Sequence, residues 1–171
     1  MKRYFTRKQL LKIGFATVGD DSQVSLDAKF YSISGEIGSG VRIDASAVIT
    51  GNIFLGDQCH ISPFVFMSGV GGGIKLDYKV GIGSHSALFT KSDQYRNEHT
   101  PSKVLKFSGQ IHIMNNTICG HNVTVMPGTT IGSNCRICAK CIVSGFIDEN
   151  RYLVSYAARY FPSTIRPFRN E

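Results

Sequence analysis

Residues 125–143 read Val125-Met126-Pro127-Gly128-Thr129-Thr130-Ile131-Gly132-Ser133-Asn134-Cys135-Arg136-Ile137-Cys138-Ala139-Lys140-Cys141-Ile142-Val143. Two places in every six repeat in kind. An aliphatic side chain stands at Val125, Ile131, Ile137 and Val143, and a small or β-branched one follows four places later at Thr129, Cys135 and Cys141. Six is too long a period for the 3.6-residue stripe of an amphipathic helix and longer than the alternation of a single strand. It fits a short strand and a turn per hexad, three hexads closing a triangular coil of about 18 residues with both marked positions facing inward.

The same clock runs outward from this stretch. Aliphatic residues recur at Ile37, Ile43, Ile49, Leu55, Ile61 and Met67, then at Leu76, Ile82 and Leu88, and again from Ile113 through Cys119, with a weaker lead-in at Val18, Val24 and Phe30. The smaller inward position follows at Val41, Ala47, Ile53, Cys59, Val65, Val80, Ser86, Thr117 and Val123. Glycine often comes directly after the aliphatic residue, as at Gly38, Gly56, Gly83, Gly120 and Gly132, where turn angles unfavourable to other residues are expected. This accounts for many of the 18 glycines.

At 171 residues the chain has room for one domain with a substantial core. The repeat occupies 18–147. It is interrupted briefly at 68–75 and at length at 94–112, and long loops on a rigid scaffold usually carry function. Before the repeat, Thr6 as N-cap, Phe5 with Leu10 as staple and Gly14 as C-cap predict a short helix within 6–14, capping the open end. From 148 to 171 a non-repeat tail rich in aromatics is expected to shield the last coil.

A net charge of +7 attracts anions, whether nucleic acid, a membrane face or a phosphorylated small molecule. No basic stripe with interleaved aromatics crosses the repeat, which disfavours nucleic acid. The sequence has no membrane-length apolar run and no signal-peptide core after its basic first residues, so a cytoplasmic location is expected. Cysteines 135, 138 and 141 look like a metal or iron–sulfur run. The repeat explains them without a metal: Cys135 and Cys141 fill the small inward place and Cys138 the place after the aliphatic residue, so no metal is expected.

Hexads such as Ile131-Gly132-Ser133-Asn134-Cys135-Arg136, preceded by Val125-Met126-Pro127-Gly128-Thr129-Thr130, resemble the hexapeptide-repeat acyltransferases across most of the chain. Lys12-Ile13-Gly14-Phe15, Gly40-Val41-Arg42-Ile43-Asp44, the glycine-rich step and Ser92-Asp93-Gln94-Tyr95 are similar to a bacterial branch acting on amino-sugar nucleotides and surface-polysaccharide sugars. The resemblance implies an all-β, left-handed parallel β-helix, homotrimers with sites in the clefts between prisms, and acetyl-CoA lying along the C-terminal coils. Carried over by position, it places the pantetheine arm at His121 and Ala139 and the CoA phosphates near Arg159. Where relatives have a Thr-Lys pair after the last hexad, this chain has Ser144-Gly145, leaving Lys140 or Arg136 as substitutes.

Many relatives hold a histidine five places after the aliphatic residue of the hexad before the long loop; here Leu88 is followed by Asp93. Acyl transfer from a thioester needs an unprotonated nucleophile, an oxyanion donor and exclusion of water. Asp93, by position, is one candidate base or acceptor-orienting group, and a loop-entry turn residue is the plainer reading. His85 in the preceding hexad and His99 in the long loop are the others, with His112 at the loop's return a further one and His60 a surface residue. An amine acceptor needs a weaker base than a hydroxyl, so the loss of the histidine favours a sugar amine at least as much as a sugar hydroxyl. Two rival readings share the prism. A γ-class carbonic anhydrase needs a close pair of zinc-binding histidines in the C-terminal coils, and the spacing of 60, 85, 99, 112 and 121 shows none. A non-catalytic assembly protein is the other, since fold does not fix function.

Overall fold

The computed structural model describes residues 3–93 and 106–155. Apart from one helix, the described residues are strands and turns wound into a parallel β-helix of hexapeptide repeats. Ile43, Ile49 and Ile131 are completely buried and Ile137 is 2% exposed, so the aliphatic column does face a common interior. The small column lies beside it: Val41, Ala47, Val65, Val80, Val123 and Cys135 are all sealed from solvent.

Each coil has three faces. On the first, Val18, Ile37, Leu55, Leu76, Ile113, Ile131 and Ile147 stack in parallel register; on the second, Val24, Ile43, Ile61, Ile82, Cys119, Ile137 and Leu153; on the third, Phe30, Ile49, Met67, Leu88, Val125 and Val143. Stacking therefore continues past Val143. Ile147 and Leu153, six apart, form one more partial ledge, so residues 148–153 extend the coil before the rest of the C-terminal segment, whose residues beyond 155 lie outside the described ones. The sequence hides this ledge because the step from Val143 to Ile147 is shorter than a hexad.

The glycine after the aliphatic residue serves a different purpose from the one expected. Gly38, Gly56, Gly83, Gly120 and Gly132 do not have left-handed angles; instead a Cβ there would meet the neighbouring coil, at 2.5 Å from the Gly120 carbonyl carbon in the case of Gly83 and 2.5 Å from the Glu149 nitrogen in the case of Gly132. The left-handed conformation belongs two places further on, where Gln58, Phe64, Lys79, His85, Asn116, Asn122, Asn134 and Lys140 all have φ near +60°.

Helix Arg7–Ile13 closes the first coil, with Leu10 buried. Thr6 accepts from the Gln9 amide at 3.3 Å, and the Gln9 side chain accepts from the Thr6 amide at 2.8 Å, a reciprocal capping box. Gly14 ends the helix at φ +134°. Phe5 and Phe15 each meet Phe30 edge-on, at 5.9 and 5.8 Å, sealing that end where the repeat is weakest. Thr6→Ala should cost about 1 kcal/mol of stability without changing the coil; a small, parallel fall in the denaturation midpoint would register it.

Candidate active site

The step between aliphatic residues is six wherever the chain turns from the first face to the second or from the second to the third. Irregular steps all fall at the remaining edge, between the third face and the first: Phe30 to Ile37, Met67 to Leu76, Leu88 to Ile113 and Val143 to Ile147. There the break at 68–75 is not a loop. It lies within the long strand Phe66–Leu76, which bends around the edge beside Val48–Leu55 with a register shift between Gly51 and Ile53.

The long excursion leaves from the same edge. Thr90 is fully buried, and its Oγ1 donates to the carbonyls of Ser68 at 3.1 Å and Val70 at 2.9 Å. Directly after it, Lys91–Asp93 pairs antiparallel with Lys106–Ser108, Asp93 opposite Lys106. The stem rests on close backbone: a Cβ on Gly72 would be 2.7 Å from the Gly109 carbonyl, and one on Gly109 2.7 Å from the Gly128 Cα. Regular stacking resumes at Ile111–Ile113, whose two isoleucines are buried, a little before the expected loop end at 112. Asp93 thus stands at the mouth of the excursion. His99 lies outside the described residues, as does Arg159.

The other sequence candidates gather at the edge between the second and third faces. His85 is exposed at the tip of its turn, and its ring lies 4.9 Å from that of Phe64 below, nearly parallel at 26°. On the other side it is 5.1 Å from the ring of His121, whose Nδ1 is 3.3 Å from the Ser84 hydroxyl. The close histidine pair that the sequence spacing did not show is therefore formed by the fold, which stacks residues from successive coils. Ala139 and Lys140, both exposed, come next, with the Lys140 amide donating to the His121 carbonyl at 2.9 Å. Ser86 ties these turns together from inside, donating to the Gly120 carbonyl and accepting from the Val123 amide. Arg136 is engaged elsewhere, its guanidinium donating to the carbonyls of Asn116 and Cys135.

His60 and His112 each meet an aspartate one coil away. His60 Nε2 lies 2.8 Å from Asp44, which also accepts from Arg42 at 2.7 Å; His112 Nε2 lies 2.8 Å from Asp77, with Lys75 at 3.4 Å. Burial works to raise the Asp44 carboxyl, but hydrogen bonds and charge from His60 and Arg42 outweigh it and hold the group below its ordinary value. The five cysteines are free thiols. Burial pushes Cys59 up to about 11 and Cys119 up to about 12, so neither is a thiolate at neutral pH. Cys138 follows Gly83 and Gly120 in its column, as the repeat predicts. Among the described residues no three His, Cys, Asp or Glu side chains converge as a metal site, and no helix is long and apolar enough to cross a membrane.

Sequence reasoning missed Phe64 and Thr90. Phe64 carries a signal, a large apolar side chain at a turn place held in neighbouring coils by Asn, Lys, Gln or His; Thr90 carries none, since its partners come from another coil.

No known family profile matches the chain. It is 27% identical over 150 residues, 82% of this chain and 78% of the relative, to the dTDP-4-amino-4,6-dideoxy-D-glucose acyltransferase of Escherichia coli. A second relative, 26% identical over 83% of this chain and 72% of its own length, is the lipopolysaccharide biosynthesis O-acetyl transferase WbbJ of Escherichia coli K12, an assignment its name gives as provisional. Among solved structures, a serine-to-cysteine mutant of AntD, an N-acyltransferase from Bacillus cereus, in complex with dTDP-4-amino-4,6-dideoxyglucose and coenzyme A, superposes with a TM-score of 0.79 at 24% identity, covering 89% of this chain and 85% of that one.

Proposed function

We propose that this chain, a hexapeptide-repeat acyltransferase, transfers an acetyl group from acetyl-CoA to an amine or hydroxyl of a sugar carried on a nucleotide, for surface polysaccharide synthesis. The observation that carries the reading is the likeness over four fifths of the chain to a nucleotide-amino-sugar acyltransferase, on a prism whose second-to-third-face edge exposes the turn tips at Phe64, His85, Asn122 and Lys140. His121, Ala139 and Lys140 on that line hold the CoA, and Arg159, outside the described residues, is assigned to its phosphates. The acceptor's nitrogen or oxygen attacks the thioester carbonyl while Asp93 takes up its proton, the tetrahedral oxyanion collapses, the C–S bond breaks, and the departing CoA thiolate receives that proton from Asp93 to leave as the thiol. His85 and His99 remain the alternative bases.

The protein works as a homotrimer in the cytoplasm. In support, the third face separates the edge bearing Asp93 from the edge bearing His85, His121 and Lys140, so within one prism the two groups lie on different edges. A cleft between two prisms brings one edge of each together. A turnover screen of the purified protein with acetyl-CoA against nucleotide-linked amino sugars, free sugars, serine and streptogramin-like alcohols, read by thiol release, tests this. Release is expected with a nucleotide-linked sugar. No release with any acceptor, together with no acetyl-CoA binding, would leave a non-catalytic assembly protein.

A further inference from the structure

Phe64 is an anomaly of the repeat. Its place in the turn demands a left-handed backbone, φ +61°, which a bulky side chain adopts at a cost and which Asn or Gly adopts readily. In return it buries little: 57% of it is exposed. Pro63 precedes it and accepts from the His85 amide, so the backbone on which the ring stands is held by the next coil. One flat side of the ring is stacked on His85 at 4.9 Å, and His85 in turn neighbours His121. A strained, exposed, pre-stacked aromatic on a rigid edge is poorly explained by folding and well suited to receiving another flat ring.

From these observations we infer that Phe64, backed by His85, is the stacking platform for the nucleobase of a nucleoside-diphosphate-linked acceptor, and that it contributes to acceptor selectivity. The inference rests on the acyltransferase reading and deepens it. Two nucleobases enter such a reaction, that of the acceptor and the adenine of CoA. The ladder's order distinguishes them: Lys140 and Ala139, then His121, lie on the C-terminal side where the CoA is placed, and Phe64 lies on the opposite side of His85. Base stacking on an aromatic ring tolerates any base, so the platform selects for a nucleotide rather than for one particular nucleotide.

Phe64→Asn is the informative variant because the turn favours Asn, so its melting temperature should equal or exceed that of the parent. Binding is measured by calorimetry with three probes on the intact chain: dTDP, inorganic pyrophosphate and CoA. The expected result is a Kd for dTDP raised about tenfold, with those for pyrophosphate and CoA unchanged and Phe64→Tyr restoring dTDP binding. Unchanged dTDP binding would overturn the platform, as would a change confined to CoA or a change in oligomer size by sedimentation, which would make Phe64 a subunit contact. Failure of the acyltransferase reading is separately visible, as absence of thiol release from acetyl-CoA in the parent protein.

Discussion

Asp93→Asn is expected to lower the acyl-transfer rate constant by about a hundredfold or more and to leave the KM for acetyl-CoA unchanged. The substitution keeps shape and hydrogen-bonding reach but removes the group able to accept the acceptor's proton. It is also structurally mild: the backbone at this position is fixed by antiparallel pairing with Lys106, and the stem is anchored by the buried Thr90 immediately before Lys91. A fall in turnover with an unchanged melting temperature therefore reports chemistry. His85→Ala is the paired measurement, since His85 is the alternative base, exposed at the tip of its turn beside His121 on the CoA line. If Asp93→Asn retains full turnover and His85→Ala loses it, the proton goes to the histidine; if both retain it, neither edge assignment survives.

The largest effect on stability is expected from Ile131→Asp, which should prevent accumulation of folded protein. Ile131 is fully buried, stacked between Ile113 on one coil and Ile147 on the next. No buried side-chain nitrogen or oxygen among the described residues lacks a hydrogen-bond partner, and the aliphatic column has no donor to spare for a new carboxylate. The group would have to stay neutral or remain charged without a partner, at a cost of several kcal/mol against a total stability of about 5–15 kcal/mol. Ile131→Val, which removes one methyl group, should cost only about 0.5–1.5 kcal/mol and leave the circular-dichroism spectrum unchanged. A soluble, fully folded Ile131→Asp protein would mean that the column does not face inward.

The prism was legible because each inward residue touches its equivalent one coil away, so a constant spacing along the chain records a constant position in space. That record fails at one edge. Between Met67 and Leu76 and between Leu88 and Ile113 the number of residues says nothing of where the chain goes, and the ledge at Ile147 and Leu153 was hidden by the short step before it. The candidate site was legible only in outline. Residues sharing a turn column, such as His121 and Ala139, could be aligned by counting, whereas the neighbouring of His85 and His121 depends on two coils closing over an excursion of unknown path. The role of the glycines was misread for a related reason: close approach of one coil's backbone to the next is a property of stacking, and no single hexad reveals it. Which group takes the proton is a matter of distance to a substrate, and Asp93 and His85 are equally visible as letters.

Confining every change of length to one edge also makes the scaffold modular. Ile111–Ile113 pairs with Ile74–Leu76 as though nothing intervened, so what departs after Asp93 and returns at Lys106 is attached to the stack at a single doorway. Closing a flexible connection costs only about 0.6 kcal/mol for each doubling of its length. Cassettes of quite different size can thus be exchanged at that doorway without disturbing the ladder above or below it. Evolution, or a protein engineer, can revise what the catalyst accepts while inheriting its framework unchanged.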